Sequence, residues 1–556
     1  MNEEGAETYD YVIVGAGSAG CVLANRLSED GRASVLLLEF GGSDRSIFIQ
    51  MPAALSIPMN MSRYNWGYES EPEPHLGGRR LQCPRGKVLG GSSSINGLVY
   101  VRGNPLDFDR WEEEGAAGWA YRHVLPYFRR AEGWREGADA YRGADGPLAT
   151  KPGARRNPLY DAFIEAGRQA GYPLSSDLNG AQQEGFGRLD MTVKDGVRWS
   201  AANAYLRPAM KRPNLRVISH ALATKVAFEG RRAVGVRYER GGRAGAANAR
   251  REVILCGGPI NSPQLLKLSG VGPQAELRAL GLPIVVDRPG VGENLQDHLE
   301  FYFQLASKQP ITLFGKTGLL ARGLIGLQWL LRRGGDGATN HFEAGGFIRS
   351  RVGVRYPDIQ YHFLPMAVTY DGKGLAREHG FQAHVGPMRS RSRGWVRLKS
   401  ADPREAPRIL FNYMSAPEDW EEMRACVRLT REIFAQAAFD PYRGREIQPG
   451  EAIVDDVAID AFVREHVESA YHPSCTCKMG AREDPLAVVD SEARVIGVEG
   501  LRVVDSSIMP SITTGNLNAP TIMIGEKAAD AIRGVAPLPA SNAPYHVASD
   551  WAHRQR

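Results

Sequence analysis

This chain of 556 residues has little cysteine, little excess charge of either sign and no long apolar run. Six cysteines are too few for a disulfide framework at this length. The formal net charge is +5, from 68 Lys and Arg against 63 Asp and Glu, which is too small to indicate a nucleic-acid-binding protein. No apolar run reaches the ~18 residues of a transmembrane helix. Residues 1–8 are acidic and polar, unlike a signal peptide. We therefore expect a cytoplasmic protein with reduced cysteines.

The cysteines do not form an obvious metal site. We interpret four of them as small buried residues: Cys21, Cys83, Cys256 and Cys426. Cys475 and Cys477 form a C-x-C pair that is too closely spaced and too isolated for zinc. We therefore predict no metal.

The most informative segment is GAGSAG at residues 15–20, which follows an apolar strand and opens a helical pattern. In such a motif Gly15 permits a tight turn, and Gly17 lets the backbone approach a pyrophosphate. Gly20 lets the helix pack on the strand. A second apolar strand ends at Glu39, 19 positions after Gly20, where an acid accepts ribose hydroxyls. The pattern predicts dinucleotide binding, and a βαβ unit that binds nothing is the alternative.

Hydrophobic periodicity predicts alternating helices and strands over much of the remaining chain. Helical patterns cover residues 105–114, 123–132, 158–170, 319–333 and 417–437, and strand patterns cover 215–218, 225–228, 233–238, 252–255, 359–363 and 395–398. The stretch 51–103 has little periodicity but many order-promoting side chains, which favours a functional role. The chain is long enough for two or more domains.

Two further segments are rich in small residues. In residues 85–97, the backbone N–H groups of Gly90 and Gly91 could contact anionic or ring oxygens, and a serine-rich surface loop is the alternative. Residues 258–272 form a turn, a short helix and a glycine at its C-terminal end.

Taken together, these segments resemble the signatures of the glucose–methanol–choline (GMC) flavoprotein oxidoreductases. The C-terminal region resembles the family too, through YHP at 471–473, TCKMG at 476–480, LRVVD at 501–505 and GNLNAPT at 515–521. The resemblance runs from about residue 9 to residue 532. Within the family, segments such as NLQDHLE at 294–300 most resemble members that oxidise choline.

The resemblance implies an α/β fold: a doubly wound, Rossmann-like FAD-binding domain with an inserted substrate domain built on a largely antiparallel sheet. Residues 8–308 would be mainly FAD-binding, with part of the substrate domain interleaved. Residues 309–464 would be mainly substrate-binding. Residues 465–535 would return to the FAD domain with the catalytic residues.

The dinucleotide implied by the resemblance is FAD. The positions that match FAD-binding residues of the family are Gly15, Gly17, Ser18, Ala19, Gly20, Glu39, Gly90, Gly91, Ser92, Asn96, Gly97, Val226, Asp505, Asn518 and Ala519. Some choline-oxidising relatives join FAD covalently to a histidine where this chain has Ile95, so we expect dissociable FAD. Gly97 replaces a serine that contacts substrate in those relatives. Both departures favour a dehydrogenase over an oxidase.

The resemblance also assigns two catalytic positions. His472 matches the catalytic histidine, and a neutral imidazole suits proton abstraction near pH 7. Asn518 matches the second position, where an amide can donate to the substrate oxygen but cannot act as a base. Asn516, two residues earlier, is the alternative for this role.

Choline is a permanent cation without an N–H donor, so an aromatic cage and a carboxylate are the expected recognition elements. By resemblance, Glu300 would meet the trimethylammonium group, and Trp66 and Tyr471 would lie around it. His298 and His362 would line the site. The alternatives are a solvent-facing acid for Glu300 and core packing for Trp66.

The resemblance implies oxidation of choline to betaine aldehyde by hydride transfer to FAD. A second oxidation to glycine betaine is left open, because a hydrated aldehyde is again an alcohol. The alternative is a GMC dehydrogenase of an aliphatic, aromatic or polyether alcohol. A lyase that uses the flavin structurally and a non-catalytic FAD-binding protein are more distant alternatives.

A dehydrogenase of this kind needs an acceptor other than oxygen, and the resemblance implies a membrane respiratory carrier. The leucine-rich pattern at 319–333, with basic ends, could lie in a membrane interface. We favour a core helix over the active site instead, because Gly323 and Gly326 weaken a free-standing helix. Peripheral association with the inner membrane and the oligomeric state are left open.

Overall fold

The computed structural model describes residues 6–368 and 378–556. We predicted that residues 1–8 are not a signal peptide, and residues 1–5 of that segment lie outside the described range. The helices are α1 (Ser18–Leu27), α2 (Ile47–Gln50), α3 (Ser56–Met59), α4 (Pro105–Glu113), α5 (Tyr121–Ala131), α6 (Pro158–Gln169), α7 (Arg207–Ala209), α8 (Gly258–Leu268), α9 (Gln274–Ala279), α10 (Leu319–Arg332), α11 (Pro417–Phe434), α12 (Asp456–His466) and α13 (Asn518–Arg533).

The strands in chain order are β1 (Glu7–Val14), β2 (Val35–Glu39), β3 (Tyr68–Glu69), β4 (Gln82–Cys83), β5 (Val99–Tyr100), β6 (Glu132–Trp134), β7 (Leu148–Pro152), β8 (Gly185–Arg188), β9 (Asp190–Met191), β10 (Val193–Lys194), β11 (Val197–Arg198), β12 (Leu215–Ser219), β13 (Ala221–Glu229), β14 (Arg232–Arg240), β15 (Arg243–Leu255), β16 (Val271–Gly272), β17 (Val286–Asp287), β18 (Leu299–Ser307), β19 (Ala344–Ile348), β20 (Ile359–Leu364), β21 (Gly380–Pro387), β22 (Trp395–Arg397), β23 (Arg408–Leu410), β24 (Arg443–Gln448), β25 (Glu468–Ser469) and β26 (Leu501–Val503).

The first large sheet has the strand order β12-β2-β1-β15-β14-β13, and β26 pairs with β15. The pairs among β12, β2, β1, β15 and β26 are parallel, whereas β13, β14 and β15 form an antiparallel meander. The apolar strand β2 is buried throughout its length, as expected of a strand covered on both faces. Helices α1 and α13 pack against each other beside this sheet.

The second large sheet has the order β24-β18-β21-β20-β19-β8, with β25 paired to β18. All of its pairs are antiparallel. Helices α6 and α11 cover it through an aromatic cluster that includes Phe163, Phe363 and Phe434. Strand β8 comes from the N-terminal part of the chain, so the two sheets interleave in sequence. The predicted fold class is confirmed, and the exact domain limits stay a prediction.

Helix α10 differs from its prediction. We expected a core helix, but only Trp329 is buried, and six leucines are between 51 and 88 % exposed. The helix contains Gly323 and Gly326, and its Trp329 Nε1–H donates to the Gly196 carbonyl oxygen at 2.7 Å, which anchors it to the protein. In the described part of the chain, no helix combines the length and apolarity needed to cross a membrane.

The cysteines agree with their prediction. All six are buried and none is paired in a disulfide. Burial raises the pKa of the Cys475 thiol to about 12, so it is protonated at neutral pH. Both members of the C-x-C pair therefore act as small packing residues.

Candidate active site

A cavity of about 380 Å³ lies between the two large sheets. Its walls come from the carboxyl ends of β1 and β2, the start of α8, the irregular stretch that follows α3, and the C-terminal segments around residues 471–473 and 516–518. The stretch 51–103, predicted to be functional for its lack of periodicity, supplies a large part of this lining. The cavity is thus lined by the same sequence segments from which we predicted a functional site.

The glycines of the first motif have two different roles. Gly15 has φ +103°, and a Cβ there would lie 2.5 Å from the Cys256 carbonyl oxygen. A Cβ at Gly20 would lie 1.9 Å from the Gly15 carbonyl oxygen, so both residues are needed for close packing. A Cβ at Gly17 would meet only the Cys256 oxygen, at 3.8 Å, and Gly17 lines the cavity beside Ser18. The N-terminus of α1 is therefore open to a phosphate.

Glu39 ends β2 at the cavity wall. Its Oε2 accepts the Ala16 N–H at 2.8 Å, and its Oε1 accepts the Gly41 N–H at 2.7 Å. Burial raises its pKa to about 7. Each carboxylate oxygen keeps a further lone pair, so the side chain can still accept a ribose hydroxyl.

The glycines of the second segment act differently from our expectation. The Gly90 N–H donates to the Ala16 carbonyl oxygen at 2.8 Å, and the Gly91 N–H donates to the Val88 carbonyl oxygen at 2.7 Å. The Gly90 N–H thus holds the segment on the first motif, and the Gly91 N–H is used within the segment. A Cβ at Gly91 would lie 2.7 Å from the Gly17 Cα, so close approach explains the glycine.

Gly91 still lines the cavity with its remaining atoms, as do Ser92, Ile95, Asn96 and Gly97. The buried Arg198 holds the loop, because its Nη1 donates to the Asn96 backbone oxygen and Oδ1, both at 2.8 Å. Ile95 has no nucleophilic atom, so this position cannot carry a covalent bond to a flavin.

Three predicted FAD contacts are placed elsewhere by the structure. Val226 is fully buried, and its N–H donates to Ser269 Oγ at 2.8 Å. The part of β13 that lines the cavity is Ala221, Leu222 and Ala223. Ala519 is buried within α13 and does not line the cavity. Gly20 does not line the cavity either, but it packs against Gly15, in agreement with the packing role predicted for it. The cavity meets the beginning of β13 and not its middle, which the sequence does not show.

Asp505 joins two elements at the cavity. Its Oδ2 accepts the Gly258 N–H at 2.8 Å and the Ser262 hydroxyl at 2.6 Å, and its Oδ1 accepts the Ser507 N–H at 2.8 Å. The carboxylate therefore fixes the start of α8 to the end of β26, at the edge where a flavin would lie.

Asn518 opens α13, and its Oδ1 accepts the Ser18 hydroxyl at 2.8 Å. This bond joins the N-termini of α1 and α13, so both helix dipoles present their positive ends to one cavity. Asn518 therefore contacts the dinucleotide motif rather than His472.

Asn516 instead lies beside His472. Its Nδ2 is 3.1 Å from His472 Nε2, and its Oδ1 is 3.1 Å from both Gln360 Nε2 and His362 Nε2. The geometry favours Asn516, the alternative in our sequence analysis, as the amide next to the base. The two asparagines stand at opposite sides of a turn that begins α13, which sequence alone does not show.

The proton position on His472 follows from a chain of hydrogen bonds. His298 Nε2 lies 3.0 Å from the Met388 carbonyl oxygen, which can only accept, so Nε2 carries the proton of a neutral His298. His298 Nδ1 then accepts, and its neighbour at 3.1 Å, His472 Nδ1, donates. A neutral His472 is left with its lone pair on Nε2, next to Asn516.

Both imidazoles are neutral because they are buried. Burial lowers the pKa of His298 to about 3. Burial, followed by the neighbouring His298 and His362, holds the pKa of His472 well below its usual value. Asp297 fixes the backbone of the pair, since its Oδ1 accepts the N–H of His298 at 2.9 Å and that of His472 at 2.7 Å. His472 is thus an oriented, unprotonated base.

Glu300 lies on the same cavity wall and has a buried partner that sequence analysis missed. His384 Nδ1 is 3.0 Å from Glu300 Oε1. His384 Nε2 is 2.7 Å from Gln382 Nε2, an amide donor, so Nδ1 is the nitrogen that donates to the carboxylate. His384 pairs with His362 across β20 and β21, and only this strand pairing brings it to the site.

An aromatic wall stands beside this pair. The ring of Phe342, a cavity-lining residue, makes edge contacts with His384 and His362 at centroid distances of 5.3 and 6.1 Å. Trp66 also lines the cavity, but its ring stacks on Phe40 and Tyr68 at 4.9 and 5.7 Å. Its stacking contacts are thus with residues near the dinucleotide end, and its place in a cage stays a prediction.

Tyr471 lines the cavity directly before the base and has φ +65°, which is costly for a residue with a large side chain. Its carbonyl oxygen accepts Arg85 Nη2–H at 2.5 Å, and its N–H donates to Ser469 Oγ at 2.9 Å. These bonds hold the strained turn that aims His472 into the cavity.

Comparison with known sequences agrees with this geometry. The GMC oxidoreductase models match residues 9–300 with their N-terminal part and residues 390–525 with their C-terminal part. This chain belongs to the GMC oxidoreductase family. The oxygen-dependent choline dehydrogenase of Brucella ovis is 61% identical over 542 residues, covering 98% of both chains. The enzyme of the same name from Sinorhizobium fredii is 60% identical and covers 98% of this chain and 100% of its own.

Solved structures of the GMC family share the fold. Pyridoxine 4-oxidase from Mesorbium loti aligns with TM-score 0.86 and 30% identity, covering 95% of this chain and 99% of its own. Formate oxidase aligns with TM-score 0.90 and 26% identity, covering 95% and 98%.

The family membership and the cavity agree on the cofactor. The open N-terminus of α1 at Gly17, the acid Glu39 and the N-terminus of α13 suit the phosphate, ribose and flavin parts of FAD. The protein is an FAD-dependent oxidoreductase acting on CH–OH groups, and Ile95 offers no atom for a covalent bond to the flavin at its position. The predicted family, enzyme class and cofactor are confirmed.

Proposed function

We propose that this GMC oxidoreductase oxidises choline to betaine aldehyde. The single observation that carries the proposal is the buried carboxylate of Glu300, held by His384 beside Phe342 in the cavity that also contains His472. The names of the Brucella and Sinorhizobium relatives support choline as the substrate.

The residues of the cavity supply proton transfer and orientation. Bound FAD supplies the hydride acceptor. The alcohol oxygen can replace the direct contact between Asn516 Nδ2 and His472 Nε2, accepting from the amide Nδ2–H and donating its hydroxyl proton to Nε2. His472 then carries a positive charge beside the forming carbonyl group, and Asn516 stabilises the negative charge on oxygen.

The cation of choline requires charge and apolar surface together. The Glu300 carboxylate supplies the charge, and Phe342 supplies an aromatic wall. His384 donates to one carboxylate oxygen and thereby fixes its orientation. An uncharged alcohol of the same shape would leave this carboxylate buried without its counter-ion, so the site should discriminate against it.

The fate of product and electrons is also part of the proposal. A second turnover on hydrated betaine aldehyde would give glycine betaine. We place electron delivery to a non-oxygen respiratory carrier at the inner membrane, on its cytoplasmic side, although the relatives' names specify oxygen dependence. Re-oxidation of the reduced protein by air and by a short-chain quinone, followed side by side, decides between these acceptors.

The proposal is tested by mixing the FAD-loaded protein anaerobically with choline and following the oxidised-flavin absorbance. Choline should bleach it, whereas 3,3-dimethylbutan-1-ol, the uncharged isostere, should bind about 10–100-fold more weakly, the range expected for loss of a close charge pair. Glu300→Gln should remove most of this preference. Glu293→Gln, at a surface ion pair with Arg397, is the matched control and should keep it.

Equal bleaching by choline and the isostere would contradict choline as the preferred substrate and leave an uncharged alcohol. Failure of every alcohol to bleach the flavin would contradict the reaction itself.

A further inference from the structure

Helix α10 presents its apolar side chains to solvent. Six of its leucines are 51–88 % exposed: Leu319, Leu320, Leu324, Leu327, Leu330 and Leu331. Exposed apolar residues scattered singly are ordinary, but six on one helix form a continuous patch. A patch of this kind marks a binding surface.

The leucines lie opposite the face that holds the helix to the protein. At about 100° per residue, Ala321, Ile325 and Trp329 form one stripe, and the leucines form an arc centred about 180° away. The stripe contains the one buried residue, Trp329, which is anchored to Gly196. A helix that only covers a soluble core has the reverse arrangement.

The chain segment that contains the arc is basic, and Asp336, in the turn after the helix, pairs with Lys316. No Asp or Glu occurs between Glu300 and Asp336, whereas this interval contains five cations: Lys308, Lys316, Arg322, Arg332 and Arg333. The side chains of Arg322 and Arg332 have no ion-pair partner among residues 6–368 and 378–556. On the helix Arg322 lies at one border of the packing stripe and Arg332 lies at the C-terminal end of the stripe, and both side chains are exposed.

We propose that α10 and its flanking cations dock on the surface of a bilayer that contains anionic phospholipids, with the helix axis in the plane of the membrane. A helix of 14 residues is ~21 Å long, short of the ~30 Å of a hydrocarbon core. The leucine arc enters the acyl boundary, and the arginines reach phosphate groups beside it. The proposal does not depend on which alcohol is the substrate.

A second copy of the chain fits this surface less well. Pairing two α10 helices through their leucines would bring both sets of cations together, and this interval offers no acid to neutralise them. Anionic lipid neutralises the same cations.

Docking would also orient the active site. α10 packs on the turn Gly335–Ala338, which packs on Pro52–Ala54, and Leu55 directly after that turn lines the cavity. This wall of the cavity would therefore lie near the membrane, where a lipid-dissolved electron acceptor is concentrated.

The test is flotation of the FAD-loaded, full-length protein with vesicles of phosphatidylcholine mixed with phosphatidylglycerol, compared with phosphatidylcholine alone. We expect binding to the anionic vesicles. The triple variant Leu324→Gln, Leu327→Gln, Leu331→Gln should bind at least about tenfold more weakly. Arg322→Gln with Arg332→Gln should remove the preference for phosphatidylglycerol.

Matched controls come from equally exposed residues elsewhere. Leu174→Gln, Val457→Gln and Leu486→Gln together, and Arg240→Gln with Arg243→Gln at the β14–β15 hairpin, should bind as the unmodified protein does. All variants should keep FAD and turnover with a water-soluble acceptor, because none lies in the cavity.

A label reports the depth of the helix directly. Every native cysteine is buried, so Leu327→Cys creates one accessible thiol for an environment-sensitive fluorophore. Its emission should shift to the blue on adding anionic vesicles, and a label at Leu174→Cys should not shift. Unmodified protein that stays with the aqueous fraction, or a leucine variant that floats equally well, would overturn the proposal. The proposal would also be overturned if the unmodified protein formed a dimer without vesicles and the triple leucine variant were a monomer.

Discussion

At the scale of single residues, one backbone carbonyl decides which ring nitrogen of His472, the base in our proposal, has the lone pair. The Met388 oxygen can only accept, and this fixes the tautomer of His298 and, through it, that of His472. Replacement of His298 by a residue without an acceptor would leave the His472 Nδ1–H without its partner. His298 is therefore a positioning residue, and His472 touches the reacting hydroxyl in our proposal.

The two asparagines near the C-terminus should separate catalysis from cofactor binding. Asn516→Ala should lower kcat by roughly 10²–10³-fold, because it removes the amide next to His472 Nε2. Asn518→Ala should mainly weaken FAD retention, because it breaks the bond to Ser18 between α13 and α1. Steady-state kcat and FAD release on ultrafiltration measure the two effects.

Each asparagine variant is the control for the other, because both replace an asparagine by alanine and the two positions are only two residues apart. A large loss of kcat in Asn518→Ala with FAD fully retained would reverse the assignment and restore our first prediction from sequence.

At the scale of elements, α11 contains a destabilising carboxyl group. Glu422 is buried, and its Oε2 has no hydrogen-bond partner among the described residues. Burial, with Asp358 and Asp419 nearby, raises its pKa to about 8. Asp419 itself is well satisfied, accepting from Ser390 and Ser392, so the cost falls on Glu422.

Glu422→Gln should therefore stabilise the protein increasingly as the pH rises. The group has a higher pKa folded than unfolded, so the folded chain binds more protons, and the penalty is absent at low pH and grows toward pH 8. We expect a gain of about 1–3 kcal/mol near neutral pH. Thermal unfolding at several pH values measures it.

The neighbouring Glu421→Gln, on the exposed side of the same helix, should show no such pH-dependent gain. A pH-independent effect of Glu422→Gln would mean that packing, and not the carboxyl charge, determines its contribution.

At the scale of the whole molecule, the cavity joins the two sheets. Its lining includes Gly17 and Glu39 from the parallel sheet and Glu300 and His362 from the antiparallel sheet. A ligand that fills it contacts both parts of the protein, and so couples their unfolding.

FAD should therefore stabilise the entire chain against unfolding. At a free concentration of about 100 times Kd, one-site binding contributes about 2.7 kcal/mol. Calorimetry of the FAD-free protein, titrated with FAD, should show one transition that moves to higher temperature. Acid precipitation should release all the flavin into the supernatant, as Ile95 predicts.

ADP is the control ligand, since it reaches only the Gly17–Glu39 end and should stabilise less than FAD. Two transitions, of which only one responds to FAD, would contradict coupling through the cavity.

Much of the fold follows from the sequence alone. Apolar strands, the GAGSAG turn and the acid at Glu39 predicted the first βαβ unit and its dinucleotide motif, because these patterns act over a few residues, and the family resemblance implied the rest of the sheet. Helices α4, α6 and α11 begin where the patterns predicted, at Pro105, Pro158 and Pro417. The family resemblance supplied His472, Glu300 and FAD.

Only the tertiary structure decided the rest, because contacts between distant segments are not periodic in sequence. It placed Asn516 rather than Asn518 at the base, and it brought His384 to Glu300 by pairing β20 with β21. It used the Gly90 and Gly91 N–H groups for packing. It also turned the leucines of α10 outward, since an apolar helix pattern shows which residues share a face but not what that face meets.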